Sequence, residues 1–315
     1  MSTRDPLGLP VRAKLDTSGL HVALADIAPG ELGDPFLQET VQRVQPAQAL
    51  AHVPSAELGR APASSAPAGL IFHVARCGST LASQLLKLND ELVVYSEPLA
   101  INEVLVPPHT ASRADLVAAL RTLGGFFAGH AGRPYVLKLT SWNTLFCDLV
   151  AEAFPQTPWA LCLRDPLEVC VSLQQARPGW LRGDTGELFA PLVDPGQVAR
   201  SHEERLARVY AAFCEAAGRL DPARGLLVPY EALPGAVWNS LAPHFGLPQA
   251  EASRQRMAAA AQTYSKSPIG RATAFVPDDE RKRSAASTEL RRAVDALARP
   301  AYQALVERMQ SRNCS

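Results

Sequence analysis

The chain has 315 residues and a mass of 33.8 kDa, with 47% apolar and 20% charged residues. This is enough apolar material for a sizeable core and too much for wholesale disorder. Thirty-one Lys and Arg balance thirty-one Asp and Glu; a zero net charge argues against a general binder of nucleic acid or anionic membranes, though not against a local basic pocket. The start, Met1 to Pro6, lacks the apolar core of a secretory signal. No apolar run approaches the ~18 residues a membrane span needs. Six Cys (77, 147, 162, 170, 214, 314) form no C-x-x-C pair and have no zinc-type His spacing, so no metal is expected. The reading is a reducing, cytoplasmic protein, and its Ala/Arg/Pro-rich composition points to a bacterial source.

In chain order, residues 1–60 alternate short apolar patches with Pro and Gly. Leu20 to Leu24 is expected as a strand, and Pro35 to Val44 as a helix with Phe36, Thr40 and Val44 on one face. Residues 61–69 are a linker by composition. The expected division is therefore an N-terminal extension and linker over 1–68 and one α/β domain over 69–315. In that domain Leu70 to Val74 reads as a strand, and Leu81, Leu85, Leu86 and Leu88 as one helix face. Leu92 to Tyr95 is a second strand, 113–128 a helix, Tyr135 to Leu139 a third strand, and 142–153 a helix ended by Pro155. Trp159 to Leu163 is a fourth strand, followed by helices over 166–176 and 197–218 and a fifth strand at Leu226 to Val228. The last third reads as helices over 235–244, 249–262 and 285–311. Continuously apolar strands alternating with helices predict a mostly parallel five-stranded sheet covered on both faces, with helical C-terminal elements.

Two turns carry chemistry. Arg76-Cys77-Gly78-Ser79-Thr80 follows the first strand and opens a helix. Free amides and the helix dipole there hold an anion, Gly78 allows close approach, and Ser79 and Thr80 add hydroxyls. The loop lacks the Lys and first Gly of a Walker loop, so it suits phosphate without evident Mg-nucleotide machinery. The bland alternative is an ordinary strand-to-helix turn capped by Ser79. At the end of the fourth strand stands Arg164, with Ser172 eight residues on. Strand C-termini are where ligands bind in open α/β sheets, and a second anion there would be held by charge-assisted contacts. The bland alternative for Arg164 is a surface salt bridge with Asp165 or Glu168.

Together these segments resemble the sulfotransferases that use 3′-phosphoadenosine 5′-phosphosulfate (PAPS), with a first motif similar to the R-S-G-T-T-L form of the tyrosylprotein type. Cys77 departs from the usual Ser and Ser79 from one Thr. The resemblance, spanning about 69–270, implies a P-loop-like three-layer sandwich. It implies that Arg76, Cys77, Gly78, Ser79 and Thr80 cradle the 5′-phosphosulfate and that Arg164 and Ser172 grip the 3′-phosphate. It further implies that Glu97 of Ser96-Glu97-Pro98 is the catalytic base, that Lys138 lies near the transferring group, and that Tyr230 of the Y-E-x-L segment helps hold the nucleotide. A late segment with Ser265 and Lys266 would close over the donor. The implied reaction is sulfuryl transfer from PAPS to a hydroxyl, leaving 3′-phosphoadenosine 5′-phosphate (PAP), with Arg76 and Lys138 stabilising charge. A sulfuryl group carries less negative charge than a terminal phosphoryl group, so the transfer proceeds without Mg²⁺. The alternatives are a small-molecule kinase using Mg-ATP and a non-catalytic nucleotide-binding module.

Cys77, at a helix N-terminus beside Arg76, sits where a thiol pKa is lowered. A C-x-x-x-x-x-R phosphatase loop is excluded because position 83 is Ser83. The seven His are dispersed; His73 is expected as a satisfied strand histidine, and His109 and His130 as surface loop residues. Residues 177–195, with Trp180, Arg182 and Phe189, are either an acceptor wall or a plain connecting loop. Arg281-Lys282-Arg283 reads as a solvated charge run. The acceptor class stays open among peptide, carbohydrate, lipid and small metabolite, with no nucleic acid or membrane insertion expected.

Overall fold

The computed structural model describes residues 8–45, 51–56, 66–107, 111–261 and 279–311. Its first part is an antiparallel sheet of β1 (Leu9–Asp16), β2 (Gly19–Ala25) and β3 (Val53–Pro54), with helix α1 (Leu37–Val44) between the last two strands. The β1–β2 turn is fixed by Asp16, whose Oδ1 accepts from the Ser18 amide at 2.9 Å. Leu9, Val11, Ala13, Val22 and Ile27 are buried in the same apolar core as the rest of the chain. The Ala13 amide donates to Glu103 at 2.8 Å, tying β1 to the third helix.

The central sheet contains β4 (Gly69–His73), β5 (Val93–Ser96), β6 (Tyr135–Lys138), β7 (Trp159–Leu163) and β8 (Gly225–Pro229) in spatial order β5-β6-β4-β7-β8, all parallel. Every residue of β4, β5, β6 and β7 is buried. Side chains pointing to either face are therefore covered, which is why these strands read as unbroken apolar runs. The fold is α/β with the expected five parallel strands. Between the strands run α2 (Ser79–Leu86), α3 (Leu99–Leu105), α4 (Arg113–Ala131), α5 (Cys147–Ala153), α6 (Pro166–Gln175), α7 (Gly183–Val193) and α8 (His202–Ala217). After β8 come α9 (Ala242–His244), α10 (Glu251–Ala260), α11 (Asp279–Ala285), α12 (Thr288–Ala293) and α13 (Arg299–Ser311). No described helix is long and apolar enough to cross a membrane.

Local chemistry sets the helix ends. Asp165 caps α6 by accepting from the amides of Leu167 and Glu168, and Pro166 sits in its first turn. Ser201 and Glu204 form a capping box, so α8 starts at His202 rather than near 197. The preceding turn is held by Asp194, which accepts from Val198 and Ala199. Segment 177–195 is not a plain loop. It folds into a 3₁₀ turn (Gly179–Leu181) and α7, anchored by Phe189 packed between Trp142 and Trp180 at ring separations of 5.0 and 5.3 Å.

His130 is a correction to the sequence reading. It is buried at the end of α4, with Nε2 at 2.7 Å from the Ile27 carbonyl and Nδ1 at 2.6 Å from the Tyr95 hydroxyl. It joins the N-terminal segment to the central sheet and is no surface residue. His109 lies outside the described residues.

Candidate active site

The chain runs outward from β4 to β5, returns to β6 beside β4, and then crosses to β7. That reversal marks a switch point at the C-terminal ends of β4 and β7, the usual ligand position in such sheets. The loop leaving β4 is wound tightly there. Ala75, Arg76 and Gly78 have φ of 62°, 53° and 82°. Left-handed backbone at two non-glycine residues costs roughly 1–2 kcal/mol each, and such strain gathers at functional sites. Gly78 is required twice over. Besides its φ, a Cβ there would lie 2.7 Å from Leu233 Cδ1 and 3.0 Å from Tyr230 Cδ2. The loop delivers the amides of α2's first turn toward that edge, with Ser79 buried and Thr80 half-buried.

Cys77 differs from expectation. Its side chain is fully buried, and burial pushes the thiol pKa up rather than down. The sequence context showed the helix N-terminus but not that the side chain turns into the core. Any contribution of Cys77 to an anion comes through its backbone.

Three strand ends bring Arg76, Glu97 and Lys138 to one edge. Ser96 of β5 stands opposite Lys138 of β6, and the next amide, that of Glu97, donates to the Lys138 carbonyl at 2.6 Å. Glu97 takes φ 55°, and its Oε1 accepts from Lys138 Nζ in a close ion pair. Lys138 is fully buried while Glu97 is 22% exposed. The ammonium also lies 5.2 Å from the ring centroid of Phe36, at the start of α1. Burial pushes the Glu97 carboxyl upward. Lys138 and His73 outweigh it and hold the pKa at about 2.

His73 is the satisfied strand histidine anticipated, and it also supports the site. The Ala75 amide donates to its Nδ1 at 3.2 Å, so the proton sits on Nε2, 3.0 Å from the Leu139 carbonyl and 3.6 Å from Glu97 Oε1. Burial, and next the Lys138 charge, hold its pKa down. One ring thus connects the strained Ala75 to the carboxylate, a link between residues far apart in sequence.

The two candidate anion segments meet. Arg76 Nε donates to Ser172 Oγ at 2.9 Å across 96 residues of chain. Arg164 stacks on Tyr230 with its guanidinium carbon 3.9 Å from the ring centroid, and Tyr230 in turn packs over Gly78. Arg164 and Ser172 are 3% and 2% exposed. The Arg164 pairing with Glu168 is real, with Nε to Oε2 at 2.7 Å, but it is buried rather than on the surface. Glu168 Oε1 accepts a second guanidinium, Arg283, at 2.7 Å. Lys282 is buried, and Arg283, though 57% exposed, is committed to this ion pair, so the run is only partly solvated. Tertiary folding of α11 onto α6 makes this contact, and no local pattern announces it. Ser265 and Lys266 lie outside the described residues.

No protein-family model matches the chain, and no curated protein does. Among solved structures it is similar to the sulfotransferase domain from the curacin biosynthetic pathway, at 16% identity over 60% of this chain and 77% of that one, TM-score 0.39. It is similar to the sulfotransferase domain of the Synechococcus PCC 7002 olefin synthase, at 14% identity over 76% and 98%, TM-score 0.44. A third is the sulfotransferase STF1 from Mycobacterium tuberculosis H37Rv, at 15% identity over 75% and 78%, TM-score 0.41.

Proposed function

We propose that the protein transfers a sulfuryl group from PAPS to a hydroxyl acceptor and leaves PAP. The observation that carries this reading is the convergence of two cation-bearing turns. Arg76 of the first touches Ser172 of the second, and Tyr230 lies between Arg164 and Gly78. A donor with phosphates at both ends of an adenosine fits that pair of turns. Amides of Gly78 to Thr80 at the start of α2 would hold the 5′ end. Arg164 and Ser172 would hold the 3′-phosphate, with Tyr230 against the nucleoside. In the resting pairing Ser172 takes Arg76 and Arg164 takes Glu168. The reading therefore requires a bound 3′-phosphate to replace Arg76 on Ser172 and to share Arg164.

In the transfer a bond forms between the acceptor oxygen and sulfur while the bond from sulfur to the 5′-phosphate oxygen breaks. The acceptor proton passes to the Glu97 carboxylate. Held at a pKa of about 2 by Lys138 and His73, Glu97 is a weak base at rest. A donor sulfuryl group competing for Lys138 loosens that pair and returns Glu97 toward its ordinary basicity, coupling donor binding to acceptor activation. Arg76 acts as a fixed charge, since a guanidinium does not readily give up its proton. His73 is a positioning residue that holds the carboxylate. A reducing, cytoplasmic setting suits an enzyme whose described cysteines are buried free thiols.

The test is a thermal-shift screen of the purified protein against PAP, ADP and ATP with Mg²⁺. PAP alone is expected to raise Tm without metal. A shift confined to ATP with Mg²⁺ overturns the reading in favour of a kinase. Donor binding without turnover and indifference to Glu97→Gln would make the protein a nucleotide-binding module.

A further inference from the structure

Between α7 and α8, away from the phosphate loop, lies a cleft of about 630 Å³. Its walls are apolar, formed by Leu181, Val193, Leu206 and Val209 among others. Three arginines, Arg177, Arg200 and Arg205, stand around it. All three are exposed, and no guanidinium among them pairs with an acid among the described residues, although the Arg200 amide donates to Glu204. Several surface arginines elsewhere are paired, among them Arg113 with Asp148 and Glu152, Arg256 with Asp90, and Arg299 with Asp295. Of the cleft's two acids, Asp194 is committed to the amides of Val198 and Ala199 and faces Arg208 at 3.8 Å. Of the lining acids, that leaves Glu187 against three guanidinium groups, with Glu203 and Glu204 beside His202 at the start of α8. His202, in the first turn of α8, also lines the cleft, and its Nε2 is buried without a hydrogen-bond partner. An unpartnered buried polar atom calls for a ligand contact or another explanation.

We propose that this cleft binds a ligand bearing one carboxylate or phosphate monoester on an apolar body. Resting on the sulfotransferase reading, we further infer that this ligand is the hydroxyl acceptor. The volume falls in the ordinary range for small-molecule sites, about 300–1,000 Å³. Arginine forks match carboxylate and phosphate oxygens and do not recognise a neutral sugar or peptide face in the same way. Two short stretches of chain run from the cleft's lining residues to the proposed catalytic edge. Arg177 follows Ser172 by five residues, so their Cα atoms lie within about 18 Å. Next to Leu181, Trp180 donates from Nε1 to Ser141 Oγ at 3.3 Å, and Ser141 comes three residues after Lys138. An acceptor held by its anion at the arginines would reach the edge with the far end of its apolar body.

The test is calorimetric titration of the full chain with decanoate and with decyl phosphate, using decanol as the neutral control and inorganic phosphate as the control without a body. At least one amphiphile is expected to bind about tenfold or more tightly than decanol and than phosphate. Arg205→Glu is expected to remove that preference and Arg205→Lys to retain most of it; the position is exposed, so a folded protein is readily verified by its Tm. Equal binding of decanol and the amphiphiles, or a preference that survives Arg205→Glu and Arg177→Glu together, overturns the proposal. So does co-sedimentation with anionic vesicles without binding of the free amphiphiles, which would make Leu188, Leu192 and Val198, exposed on this side of the chain, a membrane contact. PAP is titrated in parallel. Amphiphile binding without PAP binding sinks the donor reading and leaves the cleft standing; PAP binding without amphiphile binding does the reverse.

Discussion

At the scale of single residues, Glu97 is poised by its neighbours rather than by its own chemistry. Glu97→Gln keeps an acceptor for the buried Lys138 and removes the proposed base. Turnover is expected to fall about 10²–10⁴-fold with PAP affinity nearly unchanged, measured by initial rates and calorimetry; a parallel loss of both would make the residue structural. The same carboxylate links stability to acid. Its folded pKa of about 2 lies below the ordinary 4.5, so its stabilisation is complete above about pH 4.5 and is lost as pH falls toward 2. Acid unfolding of Glu97→Gln should therefore be flatter over that interval than that of the wild type, and superposable curves would contradict the pairing. Gly78→Ala places a methyl against Leu233 and Tyr230 in left-handed backbone. A loss of about 1–3 kcal/mol in unfolding free energy is expected, together with loss of donor binding. Arg76, Glu97 and Lys138 were legible because each ends a strand that could be read from its apolar run. Phe36, the second arginine on Glu168 and the His73 bridge were not, because tertiary packing alone brings them into contact.

At the scale of elements, the parallel strands were read to within a residue or two because burial on both faces leaves them almost wholly apolar, with His73, Ser96 and Lys138 only at their C-terminal ends. β1 escaped notice although its signal was present: Val11, Ala13 and Leu15 alternate with Arg12, Lys14 and Asp16, and the Pro and Gly around them masked the period of two. The structure joins this N-terminal sheet to the main core, so Leu9→Ala, at a fully buried site, is expected to cost about 2–5 kcal/mol. That loss should appear in the main unfolding transition seen by tryptophan fluorescence; an unchanged main transition would mark the sheet as an independent appendage. His130, between that segment and α4, and His73 in β4 are both held below the ordinary 6.5, burial being the first cause in each case. The unfolded chain then binds more protons below about pH 6.5, so stability falls as pH drops through that value. Denaturant midpoints at pH 7.5 and 5.5 check the sign, and the fall should shrink in His130→Gln.

At the scale of the whole molecule, the strand order sets the two candidate anion-binding turns side by side at the C-terminal ends of β4 and β7, while another group of arginines gathers around the α7–α8 cleft. The α/β alternation and the two turns were readable as pattern. The cleft was not, because segment 177–195 has Gly and Pro punctuation that hides a helix, and its partner α8 begins only after the Asp194 turn. The central claim is that Arg164 and Ser172 hold a phosphate distinct from the one at Gly78 to Thr80. Its most direct measurement is the affinity ratio of PAP to adenosine 5′-phosphate, by calorimetry, in wild type and in Arg164→Ala. The account predicts that the wild type favours PAP by roughly 2–4 kcal/mol and that Arg164→Ala removes most of this preference. Equal affinity for the two nucleotides in the wild type, or a preference for PAP untouched by Arg164→Ala, would contradict it.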